Sequence, residues 1–343
     1  YLVNLKVTMH FSHAHSPAHT EHLFLCICKP NKKLVLFTIS ETLNYKAIYF
    51  LNMTNIIAET ELILNSNGSV YHLQLLPEHI CENIIIVGDP GRVETVSRFF
   101  DSVDLKIQNR EFVTHGGIYR GTRVMVISSG IGTDNMDILL NELDAAVNID
   151  LKTRQVKEKH TKLNIVRLGT SGALQENIPV NSFVVSEYAL GLDGLLNYYS
   201  GLAAINEDAL SQAFIKHSNW SDRLPFPYAI KGSDHLIDRL GTDCMKGITA
   251  TACGFYAPQG RSLRLHPWVQ DFNQQLTDFK YVDKRITNFE METSALYGLG
   301  RLLGHETCTI CVIIANRITK QYSPNYPQYM SNLIELTLQR LTK

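Results

Sequence analysis

Net charge is almost absent from this chain: 32 Lys and Arg stand against 33 Asp and Glu, leaving −1 at pH 7 over 343 residues. No dense basic tract offsets that balance, so neither a nucleic acid nor an anionic membrane is expected as the main partner. Long apolar runs are missing too, since stretches such as IIIVG and ICVIIA are too short to cross a bilayer. Cysteine is sparse and scattered, and 7 is an odd number. That argues against a disulfide framework and for a reducing, cytoplasmic setting. Cys308 and Cys311 form a CxxC inside TCTICVIIAN, which reads as a buried strand. With no second CxxC beside it, a pair of core thiols is expected rather than a redox or zinc site, and no metal is expected.

What is present is enough apolar residue, 45% of the chain, to bury one large core or two small ones. The first 52 residues stand apart. His10, His13, His15, His19 and His22 match no compact zinc spacing, and LFLCIC is followed at once by KPNKK, unlike a signal peptide. Residues 1–52 are therefore read as a non-globular extension, or as sequence upstream of the true start, and 53–343 as the folded domain. Beyond Met53 short hydrophobic strands alternate with helices. NIIIVG, TRVMVISSG, LNIVRLG, NSFVVSEYAL, GITATACGF and TCTICVIIAN read as strands. DNMDILLNELDAAVNI, METSALYGLGRLLG and YMSNLIELTLQRL carry a helical period. The expected fold is α/β, one domain with a central mixed, mostly parallel sheet covered by helices on both faces.

In such folds ligands collect where strands end and helices begin. GDPGR supplies glycine amides and Arg92 at a helix start, a place that favours an anion. RLGTSG reads as a strand end and a glycine-bearing turn with Arg167, Thr170 and Ser171, and NREF adds Arg110. Three arginines suit a phosphate better than a monoanion. Nucleotide cofactor motifs fail on spacing. SGIGTDN has Asn135 where a dinucleotide fold needs a third glycine, and GDPGR lacks the Lys-Ser/Thr end of a P-loop. No GxSxG marks a serine nucleophile. The stretch GFYAPQGR, residues 254–261, puts an amide and a guanidinium on one loop beside two aromatics. Gln both donates and accepts while Arg only donates, so together they can read a flat polar edge.

GDPGRV, NREF, RLGTSGAL, FYAPQGR and NFEMETSAL, in this order, resemble the uridine phosphorylases of the nucleoside phosphorylase family, from about Tyr71 to the C-terminus. The resemblance implies that Gly88, Arg92, Arg167 and Thr170 bind phosphate, and that Arg110 completes that site from a neighbouring subunit. It implies that His72 reaches the ribose 5′-hydroxyl across the same interface and that Met291 and Glu292 hold the ribose. Phe255, Gln259, Arg261 and Arg317 would form the base pocket, Gln259 and Arg261 reading the uracil edge. Purine enzymes of the family carry Ser-Asp where this chain has Asn316 and Arg317. Some members bind potassium through positions matching Glu111, Ile131 and Asn135, but asparagine here replaces a serine. The implied reaction is reversible phosphorolysis of uridine to uracil and α-D-ribose 1-phosphate, in pyrimidine salvage. Inorganic phosphate would be co-substrate, with no metal or organic cofactor. Arg92, Arg167, Gln259 and Arg261 would be the catalytic group. The implied assembly is a homodimer as minimal unit, built into a hexamer. The rival readings are a purine nucleoside phosphorylase, a water-using nucleosidase, and a nucleoside-binding protein without turnover.

Overall fold

A computed structural model of the chain describes residues 24–26, 36–38 and 56–343. The strands Phe24–Cys26 and Leu36–Thr38 pair antiparallel with each other, apart from the main sheet. The reading of the rest of 1–52 lies outside the described residues. Globular packing is already under way at Leu62, which shares a core with Val70, Leu73, Leu75, Ile84 and Ile86, ahead of the first motif.

The main sheet has 12 strands. In chain order they begin with β1 (Asn83–Val87), β2 (Ser102–Asn109), β3 (Phe112–Tyr119), β4 (Thr122–Ser128), β5 (Asn164–Ala173) and β6 (Phe183–Gly191). They continue with β7 (Tyr228–Lys231), β8 (Met245–Thr251), β9 (Lys280–Tyr281), β10 (Lys284–Glu290), β11 (Glu306–Asn316) and β12 (Gln321–Tyr322). Parallel pairings run through the middle, joining β4 to β1, β1 to β5, β5 to β11, and β6 to β8 to β10. Antiparallel pairs form the margin β2–β3–β4 and join β6 to β11. A further antiparallel contact, Asn288↔Ala173 and Phe289↔Gly172, links β10 back to β5 and closes β10–β8–β6–β11–β5 into a ring. The centre is parallel because its strands are apolar on both faces. Ile84, Ile85, Ile86 and Val87 are all fully buried, which requires cover above and below.

The cover comes from helices α1 (Pro90–Ser97), α2 (Thr133–Asn148), α3 (Asp208–Ser218), α4 (Asp234–Leu240), α5 (Phe272–Asp278), α6 (Thr293–Leu302) and α7 (Tyr326–Leu341). Met136, Leu139, Leu140 and Leu143 give α2 one apolar face, which packs in the same core as Ala295, Leu296 and Leu299 of α6. Asp89 caps α1 by accepting from the Gly91 amide at 2.9 Å, and Pro90 fills the first turn, where its missing N–H costs nothing.

GDPGR lies at a helix start: the cap at Asp89 begins α1 at Pro90, and Arg92 is inside it. One local reading changes. RLGTSG is not a turn, since β5 runs on to Ala173, pairing Thr170 with Val312 and Ser171 with Ile313. Its glycine has a packing reason: a Cβ on Gly169 would lie 2.2 Å from Arg167 Nη1 and 3.0 Å from Cys311 Sγ.

Candidate active site

A cavity of about 1080 Å³ opens where β1, β4, β5, β10 and β11 end. Gly88, Arg92, Arg167, Thr170, Phe255, Gln259, Arg261, Met291, Glu292 and Arg317 all line it. These residues are scattered over the chain, and the crossovers of the sheet bring them to one rim.

At one part of the wall lies the N-terminus of α1, whose free amides favour an anion. Arg92 is held there by donating from Nη1 to the Leu168 carbonyl at 3.5 Å, and burial lowers its pKa. Arg167 is only 4% exposed. Its Nη2 donates to Glu292, its Nη1 lies 3.3 Å from Glu290 Oε2, and its Nε has no hydrogen-bond partner. Burial acts to lower the Arg167 pKa, but the Glu292 and Glu290 carboxylates outweigh it and the net shift is upward. Glu292 is not the exposed helix-start residue that its position before α6 could have made it. It is 4% exposed, accepts from the Gly132 amide at 2.9 Å, and is raised in pKa by burial against the pull of Arg167.

The loop 254–261 forms another part of the wall. Gln259, 3% exposed, accepts at Oε1 from Arg261 Nη1 at 2.8 Å. The Arg261 guanidinium lies over the Phe255 ring, 3.6 Å from its centroid, so the aromatic face expected to meet a ligand here carries a cation. Arg317 donates to the Gln259 carbonyl at 2.6 Å and to Asn273 Oδ1 at 2.8 Å. Burial, then Arg261, push Arg317 down to about 10, which leaves it charged at neutral pH. Asn316 is fully spent on structure. Its amide donates to the Gln175 and Ile178 carbonyls, and its oxygen accepts from the Ile318 and Thr319 amides.

His72 and Arg110 do not line the cavity. They lie near each other instead. Asn109, next to Arg110, donates to the His72 carbonyl at 2.8 Å, and Arg110 lies 5.9 Å from the Tyr71 ring centroid. Glu142 fixes His72, receiving its backbone amide at 2.9 Å and meeting its Nδ1 at 2.6 Å. Sequence reasoning missed Glu290, which lines the cavity and touches Arg167. No local pattern marks it: β10 ends at Glu290, and Glu292 already lies in the turn into α6, so strand alternation does not join the two. Lys320, on the wall after Arg317, carries no signal either.

A model of the phosphorylase superfamily matches residues 82–341. The chain belongs to that superfamily. It is similar to a uridine phosphorylase of Thermococcus kodakarensis, 28% identical over 257 residues, covering 74% of this chain and 80% of the relative. It is also similar to a purine nucleoside phosphorylase DeoD-type of Listeria monocytogenes, at 24% over 243 residues, covering 71% and 85%. Among solved structures, a Trypanosoma brucei nucleoside phosphorylase that shows uridine phosphorylase activity superposes with a TM-score of 0.75 at 28% identity. That match covers 82% of this chain and 99% of the other. The superfamily chemistry uses phosphate as co-substrate. Among the described residues no helix is long and apolar enough to cross a membrane.

Gly130 is a point of the wall where both space and backbone conformation are restricted. Gly130 has φ +74°, and a Cβ there would lie 2.5 Å from Asn135 Nδ2 and 3.0 Å from Glu111 Cγ. Gly130→Ala is expected to lose about 1–2 kcal/mol from left-handed backbone strain alone. A urea midpoint equal to that of the unaltered chain would show that the turn relaxes.

Proposed function

We propose that this chain is a uridine phosphorylase that uses inorganic phosphate to release uracil from uridine. The observation that carries the reading is the composition of one cavity wall. An amide–guanidinium pair, Gln259 and Arg261, joins Arg317 with no carboxylate on either segment, and the same cavity holds Arg92, Arg167, Thr170 and Glu292. Uracil offers an N3–H between two carbonyls, which an amide and two guanidiniums can match. A purine enzyme of the family needs an acid at the base, but here Arg317 stands at that position, and Asn316, bonded at both ends to backbone, cannot serve in its place.

In the proposed reaction the bond from the anomeric carbon to uracil N1 breaks as a phosphate oxygen bonds to that carbon. Positive charge builds on the ribose and negative charge on uracil. Arg261, Gln259 and Arg317 stabilise the departing uracil anion as preorganised donors, and uracil then takes a proton from water. Arg92, Arg167, Thr170 and the Gly88 turn hold the phosphate below the anomeric carbon, removing much of the entropic barrier. Met291 and Glu292 hold the ribose, Glu292 accepting from its vicinal hydroxyls. The products are uracil and α-D-ribose 1-phosphate. Uracil release from uridine that requires phosphate is the expected result. Release without phosphate, cleavage of inosine or adenosine in place of uridine, or binding without turnover would each overturn the reading.

We further propose that His72 and Arg110 serve the cavity of a second copy of the chain, the smallest active unit being a dimer. Their adjacency outside their own cavity supports this. Arg110→Ala and Arg167→Ala are each expected to be inactive. In a mixed dimer both lesions fall in one cavity and the other is intact. Random reassembly should then restore up to about a quarter of full activity, since roughly half the dimers are mixed and each has one good site of two. Activity staying at the level of the separate variants, with exchange confirmed by mass, would place Arg110 in its own chain's site or in none.

A further inference from the structure

We infer that Glu290 is a positioning residue, whose one carboxylate sets Arg167 and the turn bearing Met291 and Glu292 in register with each other. The inference rests on the proposed reading for what the two parts bind.

Glu290 is the last residue of β10 and is 4% exposed. Its carboxylate accepts from the Glu292 amide at 2.9 Å, from the Thr293 amide at 3.0 and 3.1 Å, and from Thr251 Oγ1 at 2.7 Å. The first two contacts tie down the chain on either side of the Glu292 Cα and satisfy free amides at the start of α6. The third anchors the carboxylate to β8, where Thr251 pairs with Glu290 across the ladder. The remaining contact is the ion pair with Arg167 Nη1 at 3.3 Å.

Glu292 then takes the other Arg167 nitrogen, so the guanidinium sits between two carboxylates borne by one turn. A guanidinium held at both Nη groups cannot rotate freely, and its unpartnered Nε is thereby held in a fixed direction. The Coulombic part of the Glu290 contact opposes anion binding, because it adds negative charge where phosphate would sit. Its benefit is geometric. The parts that hold nucleophile and ribose are locked together before either ligand arrives, and a misplacement of about 1 Å between them can cost on the order of 10² in rate. This predicts a split that a purely structural role would not produce.

Glu290→Gln keeps an oxygen for the two amides but loses the charge that holds Arg167. The expected result is a folded chain with kcat for uridine phosphorolysis reduced by on the order of 10², and phosphate affinity, measured by calorimetry with inorganic phosphate, unchanged or tighter. A kcat within threefold of the unaltered chain would overturn the proposal, as would phosphate affinity lost together with melting temperature. Should Glu290→Gln not fold, Thr251→Ser keeps the acceptor of the Ser294 amide while loosening the hydroxyl that anchors the carboxylate, and is expected to give a smaller fall in kcat with the same split. An independent readout needs no nucleoside. The Arg167 Nη protons, assigned by their loss in Arg167→Lys, are expected as separate, slowly rotating NMR signals that merge in the altered chain. Signals that stay separate there would count against Glu290. If the unaltered chain cleaves no uridine, the uridine reading falls and these signals alone decide the positioning role.

Discussion

Arg167→Met is expected to unfold about 3–5 kcal/mol more readily than the unaltered chain, because it leaves Glu290 and Glu292 buried with no cation between them. The deficit should depend on pH in a definite sense. Glu292 is already raised in pKa by burial, and losing Arg167, which pulls it down, raises it further. A carboxyl raised in the folded state binds its proton more tightly there than in the unfolded chain, so stability falls as pH climbs above the ordinary carboxylate range of about 4.3. Urea midpoints should therefore differ least near pH 4–5 and most at neutral pH. The triple change Arg167→Met, Glu290→Gln, Glu292→Gln removes the whole ion group and should recover much of the stability while remaining inactive. A single variant as stable at neutral pH as the unaltered chain would mean that the carboxylates find another cation or stay protonated at no cost.

Arg261→Ala is expected to lower kcat/KM for uridine by about 10²–10³, the usual loss for one donor to a developing anion. Its effect on folding should be small. Phe255 is exposed and Arg261 half-buried, and Arg317 still anchors the buried Gln259 through its main-chain oxygen. Separating the two readouts matters, because Arg261 also bonds Gln259 and could act only as a loop brace. A variant with normal melting behaviour and near-normal turnover would remove Arg261 from the base pocket. Arg261→Lys keeps the charge but not the planar fork, and an intermediate loss is expected.

Legibility in the sequence followed how local each feature is. β1 could be read because a run of Ile and Val between turn residues has one reasonable fate, a buried strand. The α2 face could be read from its own spacing. The continuation of β5 through Gly169 could not, since glycine in a strand looks like a turn until the side chain it makes room for, Arg167, is known. β2 and β3 were passed over for a related reason: SVDLKIQN is largely exposed, and FVTHGGIY carries a glycine pair. Glu290 was missed because two of its partners, Arg167 on β5 and Thr251 on β8, lie far from it in the chain.

The amino-acid sequence by itself determined the α/β class and the residue types able to hold an anion and a flat polar ring. These rest on hydrophobic period, cap chemistry and side-chain valence, all carried within a few residues. Only the tertiary structure decided that Arg92, Arg167, Gln259, Arg261, Glu292 and Arg317 face one cavity while His72 and Arg110 stand outside it. It also decided that Arg167 is clamped by two carboxylates rather than free. The physical reason is the sheet. Its crossovers and the β10–β5 closure set which strand ends become neighbours, and no local stretch of chain encodes that order.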